Sequence, residues 1–132
     1  MTNICASIGV AQLEYVKEIL QKKRVIAKRY ISNLNQLKSQ TVLPGSINSY
    51  WLNVFRLNNK KSVKKVREAL KNNNIETRPF FSPLHKMPHL HSKQKFIISE
   101  KLSEQGVCLP SFPELKIKEI DKICDIIIKN NA

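Results

Sequence analysis

Apolar residues recur three or four apart along the first quarter of the chain, at Ile4, Ile8, Ala11, Val16, Ile19, Leu20, Ala27, Tyr30, Ile31, Leu34 and Leu37. No proline interrupts them. This spacing lines one stripe of a 3.6-residue helix and predicts a single helix over residues 4–38. Thr2 or Asn3 stands where an N-cap is needed. The one glycine in the run, Gly9, weakens the helix slightly unless close packing requires a small residue. At 1.5 Å per residue such a helix would be on the order of 50 Å long, which is long for a compact domain of 132 residues. A helix of that length bridges two bodies or kinks. Its first turns, residues 4–11, are small and nearly uncharged, so they are expected to pack against a body outside these residues.

The remainder alternates between strand and helix signals. Leu43-Pro44-Gly45-Ser46 is a turn. Residues 49–57 are rich in aromatic and branched side chains and read as a strand partly buried on both faces. Ser62 is expected to cap a helix ending near Lys71, with Val63, Val66 and Leu70 inward, and Asn72-Asn73-Asn74 closes it. Residues 75–77 suggest a short strand. Residues 92–105 suggest a helix with Phe96, Ile97 and Leu102 inward and Gly106 as its stop. Val107-Cys108-Leu109 is a short apolar strand, and residues 117–129 form a last helix with Ile120, Ile123, Cys124 and Ile127 as its stripe. The expected class is α+β: a short three-stranded sheet covered by helices, residues 1–132 forming one domain.

One segment stands out, Ile75-Glu76-Thr77-Arg78-Pro79-Phe80-Phe81-Ser82-Pro83-Leu84-His85-Lys86-Met87-Pro88. Each proline pushes its predecessor out of the helical region, so Arg78, Ser82 and Met87 should be extended. A stiff segment carrying Arg, two Phe and His reads either as a loop that presents a site or as a connection whose rings cap the core. Arg78 beside Phe80 and Phe81 suits a planar or anionic ligand, which its guanidinium fork clamps while a ring stacks. The bland alternative is a surface arginine paired with a nearby acid.

Other chemistry is weakly supported. His85, His89 and His91 are spaced four and two apart, but Pro88 breaks the helical face that this spacing needs, so no metal site is expected. Cys108 lies between Val107 and Leu109, which favours a buried, inert thiol over a nucleophile paired with His85. Three glycines in all leave no glycine-rich phosphate cradle. Cys5, Cys108 and Cys124 are odd in number and far apart, consistent with reduced thiols in a cytoplasmic protein. No apolar run approaches the ~20 residues of a membrane span, and no signal-peptide pattern opens the chain.

The net charge is +13, from 23 Lys+Arg against 10 Asp+Glu. Such imbalance raises the question of a polyanionic partner. The lysines are scattered over helix faces, which weighs against nucleic acid and for solvated surface, or for a more acidic remainder of a larger protein.

The order of motifs resembles a known family. Met1-Thr2-Asn3-Ile4-Cys5-Ala6-Ser7-Ile8-Gly9-Val10-Ala11-Gln12-Leu13-Glu14 resembles the start of the C-terminal part of DegT/DnrJ-type sugar aminotransferases. Lys23-Arg24 and Tyr30 match the long helix of that family, and Asn48-Ser49-Tyr50-Trp51 resembles its central strand. Residues 75–88 look particularly like perosamine synthetases, and Leu109-Pro110-Ser111-Phe112-Pro113 completes the family's ending.

The resemblance implies the small C-terminal domain of a fold-type-I aminotransferase dependent on pyridoxal phosphate. The Schiff-base lysine, the acid on the pyridine nitrogen and most phosphate contacts would lie in a large domain absent here. No lysine of this chain sits in the Schiff-base context, so no catalytic or cofactor-binding residue is assigned, and the chain is expected to be inactive alone. By the same resemblance, Arg78 and His85 would contact the nucleotide or its phosphates and Phe80 would lie beside the sugar. The implied partners are the large domain, a second copy in a dimer, and a nucleotide sugar. The alternative is a basic module that kept the fold and binds nucleic acid or a partner protein.

Overall fold

A computed structural model describes residues 1–90 and 92–131. The long helix, α1 (Asn3–Asn33), is capped by Thr2, whose side chain accepts from the Cys5 amide. It ends near Asn33 rather than residue 38, because the chain turns at Leu34 to reach β1 (Lys38–Ser39). β2 (Asn53–Arg56) follows, then α2 (Lys60–Asn72), β3 (Arg78–Pro79), α3 (Ile97–Gln105), β4 (Gly106–Leu109) and α4 (Ile117–Asn130).

The strands form one antiparallel sheet in the order β1-β2-β4-β3. Its α+β architecture is the expected one. The two-residue β1, which pairs Lys38 with Arg56, raises the strand count from the expected three to four. β2 begins only at Asn53, not at residue 49. Tyr50 takes a left-handed φ of 50°, with its amide donating to Asn48 Oδ1, and that turn breaks the extended run. The pairing expected at residues 75–77 falls instead on Arg78 and Pro79.

Alternation along β2 and β4 puts Phe55, Val107 and Leu109 on one face, in the core. Ile26, Tyr30 and Leu34 of α1 join Val63, Val66 and Leu70 of α2 and Ile120, Ile123, Cys124 and Ile127 of α4 on that same side. The stripes of α2 and α4 are those their periodicity predicts. The cap of α2 is Asn59, whose Oδ1 accepts from the Ser62 amide, and not Ser62 itself, which is buried. The helix stops in a Schellman arrangement: Ile75 N–H donates to Leu70 O, Asn74 N–H to Lys71 O, and Asn74 takes φ 58°.

α3 departs most from expectation. It starts at Ile97, not residue 92, and none of its residues is buried. Phe96, Ile97 and Leu102, expected inward, are all exposed. α1, α2 and α4 already fill the core side of the sheet, and α3 packs along α2 outside that core.

Candidate substrate-facing site

Residues 75–88 leave the Schellman stop, run along the sheet edge as β3, and then coil through two 3-10 turns at Leu84–Lys86 and Pro88–Leu90. Arg78 pairs with Cys108 across the ladder, so it lies on the sheet face opposite Val107 and Leu109. Its side chain is exposed, and its ion pair, Nε to Glu76 Oε1 at 3.9 Å, is of the weak surface kind. It borders an open cleft of about 580 Å³ between the sheet edge and α4, whose lining includes Ile75, Leu109, Phe112 and Lys122. That volume lies within the range of small-molecule sites.

Phe80 is seated more firmly. Its amide donates to Gly106 O, and a Cβ added to Gly106 would stand 2.7 Å from Phe80 Cβ and 2.7 Å from Leu102 O. Gly106 is therefore required for this close approach, although its φ is ordinary. Phe80 touches Phe81, with centroids 5.6 Å apart, and Phe81 stacks on Trp51 at 6.3 Å with planes 27° apart. Phe81 and Trp51 are both exposed, Trp51 at 71%.

His85 is 9% exposed. Its Nε2 lies 3.0 Å from Glu100 Oε1, and its ring lies 4.9 Å from that of Phe96. Glu100 also takes Lys86 Nζ at 2.7 Å and the Phe96 amide at 3.3 Å. Lys86 first and His85 second hold the Glu100 carboxyl down at about 2. The structure thus brings Arg78 and Phe80 to one edge of the sheet and places His85 in a brace between the loop and α3. His89 is exposed, and His91 lies outside the described residues. Among the described residues no three His, Cys, Asp or Glu side chains are grouped to hold a metal ion. Cys108 is buried, and burial raises its thiol pKa, as it does for Cys124, pushed up to about 11.

Lys23 is the one lysine among the described residues that is not exposed. Its Nζ donates to Trp51 O at 3.0 Å, Ser111 O at 2.7 Å and Ser111 Oγ at 3.2 Å, and Ser111 Oγ itself donates to Trp51 O at 3.2 Å. Desolvation lowers its pKa. A Schiff-base lysine needs its nitrogen free toward a cofactor cavity. Here all three N–H donors are used on neutral oxygens, so Lys23 does not fit the role of a Schiff-base lysine. Lys23 and Trp51 entered the sequence reading only within family motifs and Phe81 only as a neighbour of Arg78, while Glu100 escaped it. Trp51, the chain's single tryptophan, carried the only local signal.

A model of the DegT/DnrJ/EryC1/StrS aminotransferase family matches residues 1–128. The chain is 42% identical to a GDP-perosamine synthase of Vibrio cholerae, covering 96% of this chain and 36% of that protein. To the GDP-perosamine synthase of Escherichia coli O157:H7 it is 39% identical, covering 96% and 35%. The aminotransferase TlmJ from Streptoalloteichus hindustanus superposes with a TM-score of 0.85 at 23% identity, covering 95% of this chain and 35% of that one. Helicobacter pylori PseC, an aminotransferase of pseudoaminic acid biosynthesis, superposes with 0.81 at 17% identity, covering 93% and 35%. The chain spans about a third of the length of the curated relatives it matches. With its motifs in family order from the first helix to the last, the chain belongs to the DegT/DnrJ/EryC1/StrS aminotransferase family.

Proposed function

We propose that the chain is the C-terminal, substrate-facing part of a nucleotide-sugar aminotransferase and is inactive alone. The observation that carries this reading is the match to GDP-perosamine synthases over nearly the whole chain but only about a third of theirs. The exposed apolar first half of α1 supports it, since that surface suits a large domain. Aminotransferases of this family depend on pyridoxal phosphate, which supplies the electron sink for transamination. On this reading the cofactor is held by the large domain, and the present residues confer specificity. Arg78, exposed and weakly paired, takes phosphate oxygens; Phe80 walls the sugar; His85, through its brace to Glu100, holds the loop beside the ligand. A second copy and the large domain are the proposed partners.

Pyridoxal phosphate added to the chain alone should give no internal-aldimine absorbance and no borohydride-reducible adduct at a defined lysine. A stoichiometric adduct at one lysine would refute inactivity by lack of a cofactor site. Adding the first two thirds of the Vibrio cholerae relative as a separate chain should restore transamination of a GDP-linked keto sugar. Arg78→Ala should weaken nucleotide-sugar binding in that mixture by ~1.5–3 kcal/mol, the worth of a charge-assisted hydrogen bond. The net charge of +13 favours a second reading, a basic module for nucleic acid or a partner protein. It requires a salt-dependent mobility shift of DNA or RNA at physiological ionic strength.

A further inference from the structure

We infer that Lys23 is the positioning residue of the substrate-facing loop, acting through Trp51 and Phe81. This rests on residues 78–85 facing substrate, as proposed above.

Trp51 is an exposed aromatic in an irregular segment, stacked on a ring that is itself exposed. Core packing does not hold such a pair, so the position of the Trp51 ring depends on its backbone. That backbone is held at its carbonyl oxygen. Trp51 O accepts from Lys23 Nζ and Ser111 Oγ, whose residues lie 28 and 60 positions away in sequence. Lys23 thereby ties α1 to the segment before β2 and to the turn after β4. Just ahead, Tyr50 sits in the left-handed region, a conformation that costs a non-glycine residue roughly 1 kcal/mol or more and persists only where its surroundings over-determine it. The three-way tie at Lys23 provides that constraint. Beyond Trp51, contact passes from ring to ring: Trp51 on Phe81, Phe81 on Phe80, and Phe80 on Gly106. The loop that carries Arg78 and His85 is thus pinned on one side by Glu100 and on the other by the Trp51 stack.

An ammonium is suited to this place. It offers three donors from a single atom to three converging neutral oxygens. A methionine there fills the space without donors, leaving Ser111 O to water and Trp51 O with the Ser111 hydroxyl alone.

Trp51 is the chain's only tryptophan, so intrinsic fluorescence reports this one position. In the unliganded chain, Lys23→Met should red-shift the emission and increase acrylamide quenching, with the far-UV circular dichroism unchanged. Ser111→Ala, which removes one acceptor of Lys23 and one donor to Trp51 O, should do the same to a smaller extent. Phe81→Leu should give the Lys23→Met signal, and the double variant should show no further change, the non-additivity expected of residues acting through one contact. A lysine that only stabilises the fold would lower the unfolding midpoint and leave emission of the folded chain unmoved. Wild-type emission and quenching in folded Lys23→Met would overturn the inference. If that variant fails to fold, wild-type values in Ser111→Ala would do so. GDP addition is a separate readout. A shifted signal in the variants with no GDP response in the wild type leaves the positioning role standing and counts against the substrate-facing reading.

Discussion

Along α1, Ile8 and Leu13 are 60% and 68% exposed, whereas Ile26 and Tyr30 on the same helix are 2% and 0% exposed. Of residues 1–18, all but Ala6 are exposed. The first half projects from the sheet-and-helix body for roughly 24 Å. The second half is tied to that body by packing, by the Tyr30 hydroxyl donating to Pro110 O at 3.1 Å, and by Arg29 gripping both Asp121 oxygens at 2.7 and 2.8 Å. The two halves carry similar apolar spacing, so periodicity alone does not separate them. The difference shows that an apolar stripe marks a surface to be covered without saying which body covers it. The bare half is about as long as an isolated helix that is marginal in water, so its helicity rests on the anchored half and on whatever docks against it.

The largest contrast should come from truncating the anchored half. Tyr30→Ala removes a fully buried ring and should cost about 3–5 kcal/mol, read as a fall in the urea midpoint at constant slope. An effect below about 1 kcal/mol would mean that α1 is not anchored through this ring. Tyr30→Phe keeps the ring and loses only the bond to Pro110 O, so it should cost about 1 kcal/mol.

A pH-dependent difference comes next. Arg29 first, and Asn33 as well, hold the Asp121 carboxyl below its ordinary value of 3.8. A carboxyl depressed in the folded state stabilises at pH above its unfolded pKa, and that stability is lost as pH falls through the folded pKa. The stability gap between wild type and Asp121→Asn should therefore be full at pH 6 and shrink as pH falls below about 4. A gap that stays constant down to pH 2 would remove the Arg29 grip as an anchor. The smallest effect belongs to the bare half. Leu13→Ala in the chain alone should lie within about 0.5 kcal/mol of wild type. A loss of several kcal/mol would mean that this half is covered in solution, and sedimentation would then show a second copy.

Glu100 illustrates what local reading misses. Nothing in its neighbourhood distinguishes it from Glu104, yet it alone gathers His85, Lys86 and the Phe96 amide. His85 was legible as a site candidate, but its use as a brace depends on a partner 15 residues away. α3 misled for a related reason. Phe96, Ile97 and Leu102 are apolar at helical spacing, but three better-placed helices already occupy the core face, so their stripe is left outward. α4 was legible because its stripe is continuous and all of it packs into the core. Arg78 and Phe80 were named as site candidates from composition and from the motif that resembles the family's.

The sequence by itself determined which segments are helical, the inward stripes of α2 and α4, the stop at Asn72-Asn73-Asn74 and the family. These follow from local propensity, period and motif order, which short windows carry. Only the tertiary structure decided where α1 passes from bare to buried, that Lys38 and Ser39 add a fourth strand, that Glu100 braces His85, and that Lys23 ties Trp51 to Ser111. Each of these joins residues remote in sequence. Such contacts form when the loops have been brought together and the competing faces have been filled, and no short window of sequence records that outcome.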